Sequence, residues 1–408
     1  MMAGITVEPG GLSITNALQG HPIFTWIGWI VQVMPLFFVM GGFSSLKSWR
    51  QQRKRGITAA HYVRDRVARL TRPALLPLSL AAITLAVLGM IGLPDDVLAD
   101  VGYRIGQPLW FLAVYLGCAG LVPVMARLHE RAPRATLITL IATVMAVDAA
   151  ARLTEQPFVG ALNLLFVWVF IQQLGFCLAD GWFDWRRRWL LALAALAASG
   201  VIPVLTTLVG YSSEMFDNFN PPTTALLALG VAQVLLFSAL RPWLARIAAR
   251  KTVTRLSFVV NRDAILIYLW HVPVIVLITW VLLILGAPFP EPLSEEWWQT
   301  RPPLLVAVTL LLIPIVMAVA WIEGRGSAMA VGTVGTVGPL IASVKVVLGI
   351  AGVVTIMVAG FTPVHEAAIA LALLLMAVLL RSPRRHGVVK DLAVAQGPNP
   401  ANTLREHA

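Results

Sequence analysis

IFTWIGWIVQVMPLFFVMGGFSSL, residues 23–46, carries no charge and gives way at once to KSWRQQRKRGITAAHYVRDRVARLTRP, residues 47–73. At 1.5 Å per residue the first stretch makes a helix of about 36 Å, enough to cross the ~30 Å hydrocarbon core of a bilayer. The second holds nine Lys or Arg against a single acid, Asp65. Short loops of that composition stay on the cytosolic side, so this segment sets the expected orientation of every later span.

Composition agrees with that start. Of the 408 residues, 58% are hydrophobic and only 12% charged, and the mean hydropathy is +0.80. Such a chain is a polytopic membrane protein, not a soluble domain. The formal charge of +11 sits in short loops between apolar runs, without the clustered stripe of a phosphate-tracking protein, so no nucleic acid is expected. An anionic inner leaflet and a phosphate-bearing cosubstrate suit it better. Cys118 and Cys177 fall inside apolar runs and imply no disulfide framework.

Apolar length and loop composition predict eleven spans, an all-α transmembrane bundle: 23–46, 73–93, 108–126, 136–151, 161–179, 189–209, 222–240, 264–285, 303–322, 339–361 and 364–380. The loop charges test that count. Segments expected inside (47–72, 127–135, 180–188, 241–255, 323–338 and 381–408) hold 26 of the 31 Lys and Arg. Those expected outside hold Arg104, Arg152 and Arg301, which leaves Arg262 and Lys345. Residues 1–22 lack Lys and Arg, so they are no signal peptide and are expected on the extracytoplasmic side. A glycine-rich joint over 326–338, a terminal hairpin over 339–380 and a polar, disordered cytosolic tail over 381–408 complete the organisation. The loop GAPFPEPLSEEWWQTRPP, 286–303, reads as an interfacial cap with its indoles among the headgroups.

Polar residues inside spans are costly, so each is a candidate site. They are Gln32, Asp148, Asn163, Gln172, Gln173 and His271, with Arg262 and Asp263 just ahead of the eighth span. His271, expected roughly 10 Å from the inner end of its span, either acts as a general base with its tautomer held by a neighbour or bonds a carbonyl of another helix. Arg64, Arg66, Arg69 and Arg72, spaced mostly by threes, form a cationic stripe expected to end at Pro73; it either clamps phosphates or serves only as topogenic charge. Gly41 and Gly42 allow close approach of a flat ligand or of another helix. Asp148 is placed to pair with Arg152 one turn later. No His has metal-ligand spacing to a second ligand, so no metal is expected.

Five stretches occur in a telling order: VMPLFFVMGGFSSLKSW (33–49), RDRVARLTRP (64–73), QPLWFLAVYLGCAGLVPV (107–124), NLLFVWVFIQQLGFCLADGW (163–182) and NRDAILIYLWHVPVIVL (261–277). Together they resemble the acyltransferase 3 family of integral membrane acyltransferases, over roughly residues 30–325. The resemblance implies transfer of an acyl group from a cytosolic acyl-CoA, acetyl-CoA first in line, to a hydroxyl of an envelope glycan, glycolipid or similar acceptor at the plasma membrane. It places Arg66, Arg69 and Pro73 on the family's arginine motif, with Asp65 where a basic residue is usual and the proline displaced by one. It places Pro108, Trp110 and Phe111 on the third-span signature, Tyr268, His271 and Pro273 on the late helix, and Gly41 where a serine is more usual.

The resemblance also aligns the first span here with the family's second. The family's first span carries an arginine followed some ten residues later by a histidine proposed as catalytic base, and neither is matched here. The expectation is therefore either a late start of the reading frame or a shortened relative. With that residue unmatched, His271 is the candidate base, Arg66, Arg69, Arg72 and Trp110 the candidate coenzyme contacts, and Trp110 also a candidate oxyanion donor. A multi-span transporter or flippase and an inactive relative are the alternatives. No paired halves with interrupted helices favour transport.

Overall fold

A computed structural model describes residues 3–8, 11–18, 20–184, 187–329, 338–361 and 364–380. It opens on an antiparallel β-hairpin, β1 (Ala3–Glu8) and β2 (Gly11–Asn16), paired from Ala3 opposite Asn16 to Glu8 opposite Gly11. Among the described residues every later regular element is a helix. The first half comprises α1 (Pro22–Val31), α2 (Met34–Lys54), α3 (Ala59–Met90), α4 (Asp95–Gly106), α5 (Trp110–Arg131), α6 (Pro133–Thr154), the short α7 (Pro157–Gly160) and α8 (Asn163–Ala179). The second comprises α9 (Arg188–Leu208), α10 (Thr224–Ala248), α11 (Lys251–Ile284), α12 (Glu295–Met329), α13 (Pro339–Ala359) and α14 (Val364–Leu379). Ten helical stretches among the described residues are long and apolar enough to cross a bilayer, and α14, with 16 residues, is an eleventh apolar helix. Most of the joint expected at 326–338 and all of the tail at 381–408 lie outside the described residues.

The two ends of the bundle sort the loops as the charge pattern predicts. At one end Arg50 and Arg53, closing α2, bond Glu130 at the end of α5, and Arg50 also bonds Asp180 just past α8. Arg241 on α10 bonds Asp184 there at 2.8 Å. At the other end Arg152, closing α6, donates to the Val209 carbonyl at the end of α9 (2.9 Å), and Thr25 of α1 donates to Glu214. Every odd-numbered connection up to residue 255 therefore meets at the basic end.

At the middle of the bundle stands α8, whose residues Val167–Leu178 are all buried. A Cβ on Gly42 would sit 2.2 Å from the Gln172 carbonyl oxygen, and one on Gly175 would sit 2.0 Å from that of Val39. Only two glycines allow α2 and α8 to cross with backbones touching. The amide nitrogens of Gln172 and Gln173 then donate to the Cys118 and Met125 carbonyls of α5, each at 3.2 Å. Those carbonyls have no other use for a lone pair in a lipid environment, so the two side chains lock α5 beside α8.

Several elements differ from the sequence expectation, each for a local reason. The first span is broken: α1 stops at Val31 and α2 restarts at Met34. Gln233 of α10 bridges the gap, its Nε2 donating to the Gln32 carbonyl and its Oε1 accepting from the Leu36 N–H at 3.0 Å, while Gln32 Oε1 accepts from Met34 N–H at 3.1 Å. Pro73 does not begin a new helix; α3 runs through Pro73 and Pro77, so the arginine stripe and the second span share one rod. Likewise α11 starts at Lys251, thirteen residues before the expected span, because Arg262 and Asp263 neutralise each other at 2.7 Å. His271 therefore lies about 30 Å along its helix from the basic end, not 10 Å.

Asp148 does not pair with Arg152 either. It accepts from Asn163 (2.7 Å), from the Tyr211 hydroxyl (2.8 Å) and from the N–H of Thr224 at the start of α10 (2.8 Å). Arg152 lies over the Tyr211 ring instead, 3.9 Å from its centroid. In the 286–303 cap, Trp297 is fully buried under the Arg301 guanidinium, and only Trp298 is exposed.

The terminal hairpin packs on α3 and α5 through α13, with α14 against α3. Lys345, almost completely buried, donates to the Ala377 and Val378 carbonyls at 2.9 and 3.0 Å. It satisfies the last turn of α14, whose carbonyls have no helical partner.

The α2–α8 crossing gives a direct test. Gly175→Ala should destabilise the protein by about 1–3 kcal/mol or more through overpacking, whereas Gly41→Ala, whose added Cβ meets only the Tyr115 ring at 3.5 Å, should leave the melting temperature in detergent close to the parent's.

Candidate active site

The α2–α8 crossing leaves a gap on its α3 and α5 side. It is a cavity of about 70 Å³ with α2, α3, α5 and α8 as walls, lined among others by Gly41, Tyr62, Arg66, Arg69, Tyr115 and Gln172. Arg66 and Arg69 reach it together because three residues apart is nearly one helical turn. Arg72 does not line it. Each step of three falls short of a full turn by about 60°, so by Arg72 the stripe has rotated toward the outside of α3, where that residue is exposed. Arg64 is turned away too, bonded to Asp65 at 2.8 Å.

Tyr62, one turn before Arg66, organises the basic wall. Its hydroxyl donates to the Ser45 carbonyl of α2 and accepts from Arg66 Nε, both at 3.3 Å. The guanidinium is thus aimed by a ring that is itself fully buried. Facing it, the Oε1 of Gln172 is buried without a partner. A buried acceptor left unpaired costs about 1–3 kcal/mol, which a donor brought by a ligand would relieve.

Deeper in the bundle, aromatic rings close the cavity. Tyr115 stacks on Phe111 at 5.6 Å, and Phe38 stacks on Trp168 at 4.4 Å. Trp110 stands one layer further, edge-on to Phe219 at 4.9 Å and tilted against Trp168 at 5.8 Å, so it backs the cavity without lining it. Tyr268 joins this layer: its ring packs on Phe111 at 4.9 Å and its hydroxyl donates to the Pro108 carbonyl.

A family profile described as an acyltransferase domain, acyltransferase 3, matches residues 7–321. The chain belongs to the acyltransferase 3 family. It is accordingly a multi-pass membrane acyltransferase. Searches of curated proteins and of solved structures each returned no match. Beyond the matched region lie α13 and α14.

The quoted stretches divide between the cavity and the ring layer beyond it. The glycine pair of FFVMGGF splits its work, Gly42 facing α8 and Gly41 facing the cavity. Arg66 and Arg69 of RVARLTRP form the basic wall, and PLWFL meets YLWHVP through the Tyr268–Pro108 bond. His271 does not line the cavity. Its Nδ1 lies 2.5 Å from the Tyr268 carbonyl of its own helix. A carbonyl only accepts, so Nδ1 carries the proton, and in the neutral ring Nε2 then keeps the lone pair that a base requires. Tyr62, Ser45 and Tyr115 were missed by sequence reasoning. Only Tyr62 left a usable signal, an aromatic one turn ahead of a clustered arginine.

Below the cavity the ion cluster ties α2, α5 and α8 together. Arg50 holds the Asp180 carboxyl below the usual carboxylate range, opposed in part by burial, and His129 at 3.3 Å acts in the same direction as Arg50. A depressed carboxylate pKa contributes stability that is complete above the unfolded value, about 4, and is lost as pH falls through the folded value. The share of thermal stability in detergent due to Asp180, read as the gap in melting temperature between the parent and Asp180→Asn, should therefore be constant above about pH 4 and close below it. Asp180→Asn should start lower and show a shallower acid decline.

Proposed function

We propose that the protein transfers an acyl group from a cytosolic acyl-CoA to a hydroxyl of an envelope glycan or lipid, at the plasma membrane. The observation that carries this reading is the cavity with Arg66 and Arg69 in its wall, whose lining residue Ser45 stands little more than one turn of α2 from Arg50 in the ion cluster of the basic end. Guanidinium pairs match phosphates with bidentate bonds, and a coenzyme presents several phosphates at one end and a thioester at the other. Arg72 and Trp110 act less directly, Arg72 by adding long-range positive field from the exposed face of α3 and Trp110 by backing the ring layer.

The thiol arm then runs inward along α5. From Val122 to Pro108 the helix rises roughly 20 Å, which separates the phosphate end from the layer that holds Tyr268 and His271. In the proposed step His271 Nε2 takes the proton of the acceptor hydroxyl as its oxygen attacks the thioester carbonyl carbon. The tetrahedral oxyanion collapses, the carbon–sulfur bond breaks, and the departing thiolate takes up a proton. For this the Tyr115 and Phe111 rings must part, since they stand between the cavity and that layer.

Transfer of label from radiolabelled acetyl-CoA by protein reconstituted in vesicles tests both halves. Arg66→Ala should raise KM for the thioester at least about tenfold, the worth of one or two charge-assisted bonds, with a smaller change in kcat. His271→Ala should lower kcat by about 100-fold or more and leave KM alone. Full transfer by the His271 variant removes its role; no transfer by the parent removes the reading. Orientation is tested separately. With both native cysteines buried, a thiol at exposed Arg55 (Arg55→Cys) should be labelled in intact cells only after the membrane is permeabilised.

A further inference from the structure

We infer that the cleft between the start of α9 and the end of α10 binds the headgroup of an anionic phospholipid. These antiparallel neighbours bring Arg188, at the first turn of α9, beside Arg241 and Arg246, in the last turns of α10. Between them lies a cleft of about 480 Å³ with Arg188, Arg241 and Asp184 in its wall, which continues past Pro242 into one of about 450 Å³ walled by Arg188, Trp243 and Arg246. Arg188 lines both.

The charge there is not self-satisfied. Asp184 is the one carboxylate in either wall, and Arg241 already holds it at 2.8 Å. Among the described residues neither Arg188 nor Arg246 has a hydrogen-bond or ion-pair partner. Two free guanidiniums facing one cleft call for an anion with several acceptor oxygens, and a phosphodiester fits.

The surroundings say which anion. Trp243 lines the cleft and Trp189 follows Arg188 in the chain, each 56% exposed, the posture of indoles at headgroup depth. From Trp243 an exposed apolar strip, Leu240 then Leu236, leads along α10 toward the membrane interior, a track for acyl chains. The cleft shares no residue with the Arg66 and Arg69 cavity, so a soluble coenzyme has its own site elsewhere. A cationic cleft open to lipid at the basic end of a bundle is the setting in which anionic headgroups are held.

Native mass spectrometry of the full-length protein, released from nanodiscs of phosphatidylcholine with a minor share of phosphatidylglycerol, tests the site. The parent should retain phosphatidylglycerol, and Arg188→Gln with Arg246→Gln should retain about tenfold less, at an unchanged melting temperature. Arg127→Gln with Arg134→Gln, which removes two exposed charges from the same end outside the cleft, should retain it fully. Equal loss in both pairs would mean diffuse attraction and overturn the assignment, as would full retention in the first. Displacement of the retained lipid by millimolar inorganic phosphate would reassign the cleft to soluble phosphates, and the proposal would fail. If the first pair is poorly folded, Trp243→Ala should still lower retention, and its failure to do so counts against the site.

Discussion

Where α2 crosses α8 the backbones of Gly42 and Gly175 touch, and a single methyl on either would collide with a carbonyl of the opposite helix. Lipid offers no hydrophobic drive for helices to associate, so contact this close, with the dispersion it allows, is what holds a transmembrane pair together. Its position has a geometric effect. Because α2 is drawn against α8, its other face, with Gly41 and Ser45, is turned toward α3 and α5, and the gap that remains is the arginine-walled cavity.

The same environment explains how the polar side chains are used. The hydrocarbon core offers no water to satisfy a spare carbonyl or N–H, and here glutamines and asparagines do it. Gln172 and Gln173 bond α5, Gln233 spans the break before α2, and Asn163 holds Asp148, which itself caps α10. Most of the mid-membrane polar residues that drew attention as possible chemistry are structural fasteners of this kind. Asn163, Gln172 and Gln173 each keep one buried oxygen without a partner among the described residues, and of the three only Gln172 lines the cavity.

How far the architecture was legible follows from which signals are local. Span parity depends on loop charge alone, and it held, since Arg50, Glu130, Asp180 and Arg241 meet at one end. Helix limits depend on partners that sequence does not display. Nothing near residue 32 announces that Gln233, two hundred positions on, will bridge a break there, and Pro73 is a helix breaker that a tightly packed neighbourhood overrode. In the site, Arg66 and Arg69 were readable from their spacing, whereas the aim of Arg66 depends on a hydroxyl anchored to Ser45 of another helix. The depth of His271 was misjudged for a similar reason: Arg262 and Asp263 look like an end of a helix until they are seen to cancel each other within it.

The hairpin of α13 and α14, pinned by the Lys345 ammonium on the last carbonyls of α14, forms the rear support of α3 and α5. Chain order gives this a temporal side. The helices that bear the arginines and the ring layer leave the ribosome early, yet the elements that brace them from behind are made some 200 residues later. During synthesis that flank is filled by lipid or by the insertion machinery until α13 and α14 are made, so maturation of the cavity waits on them.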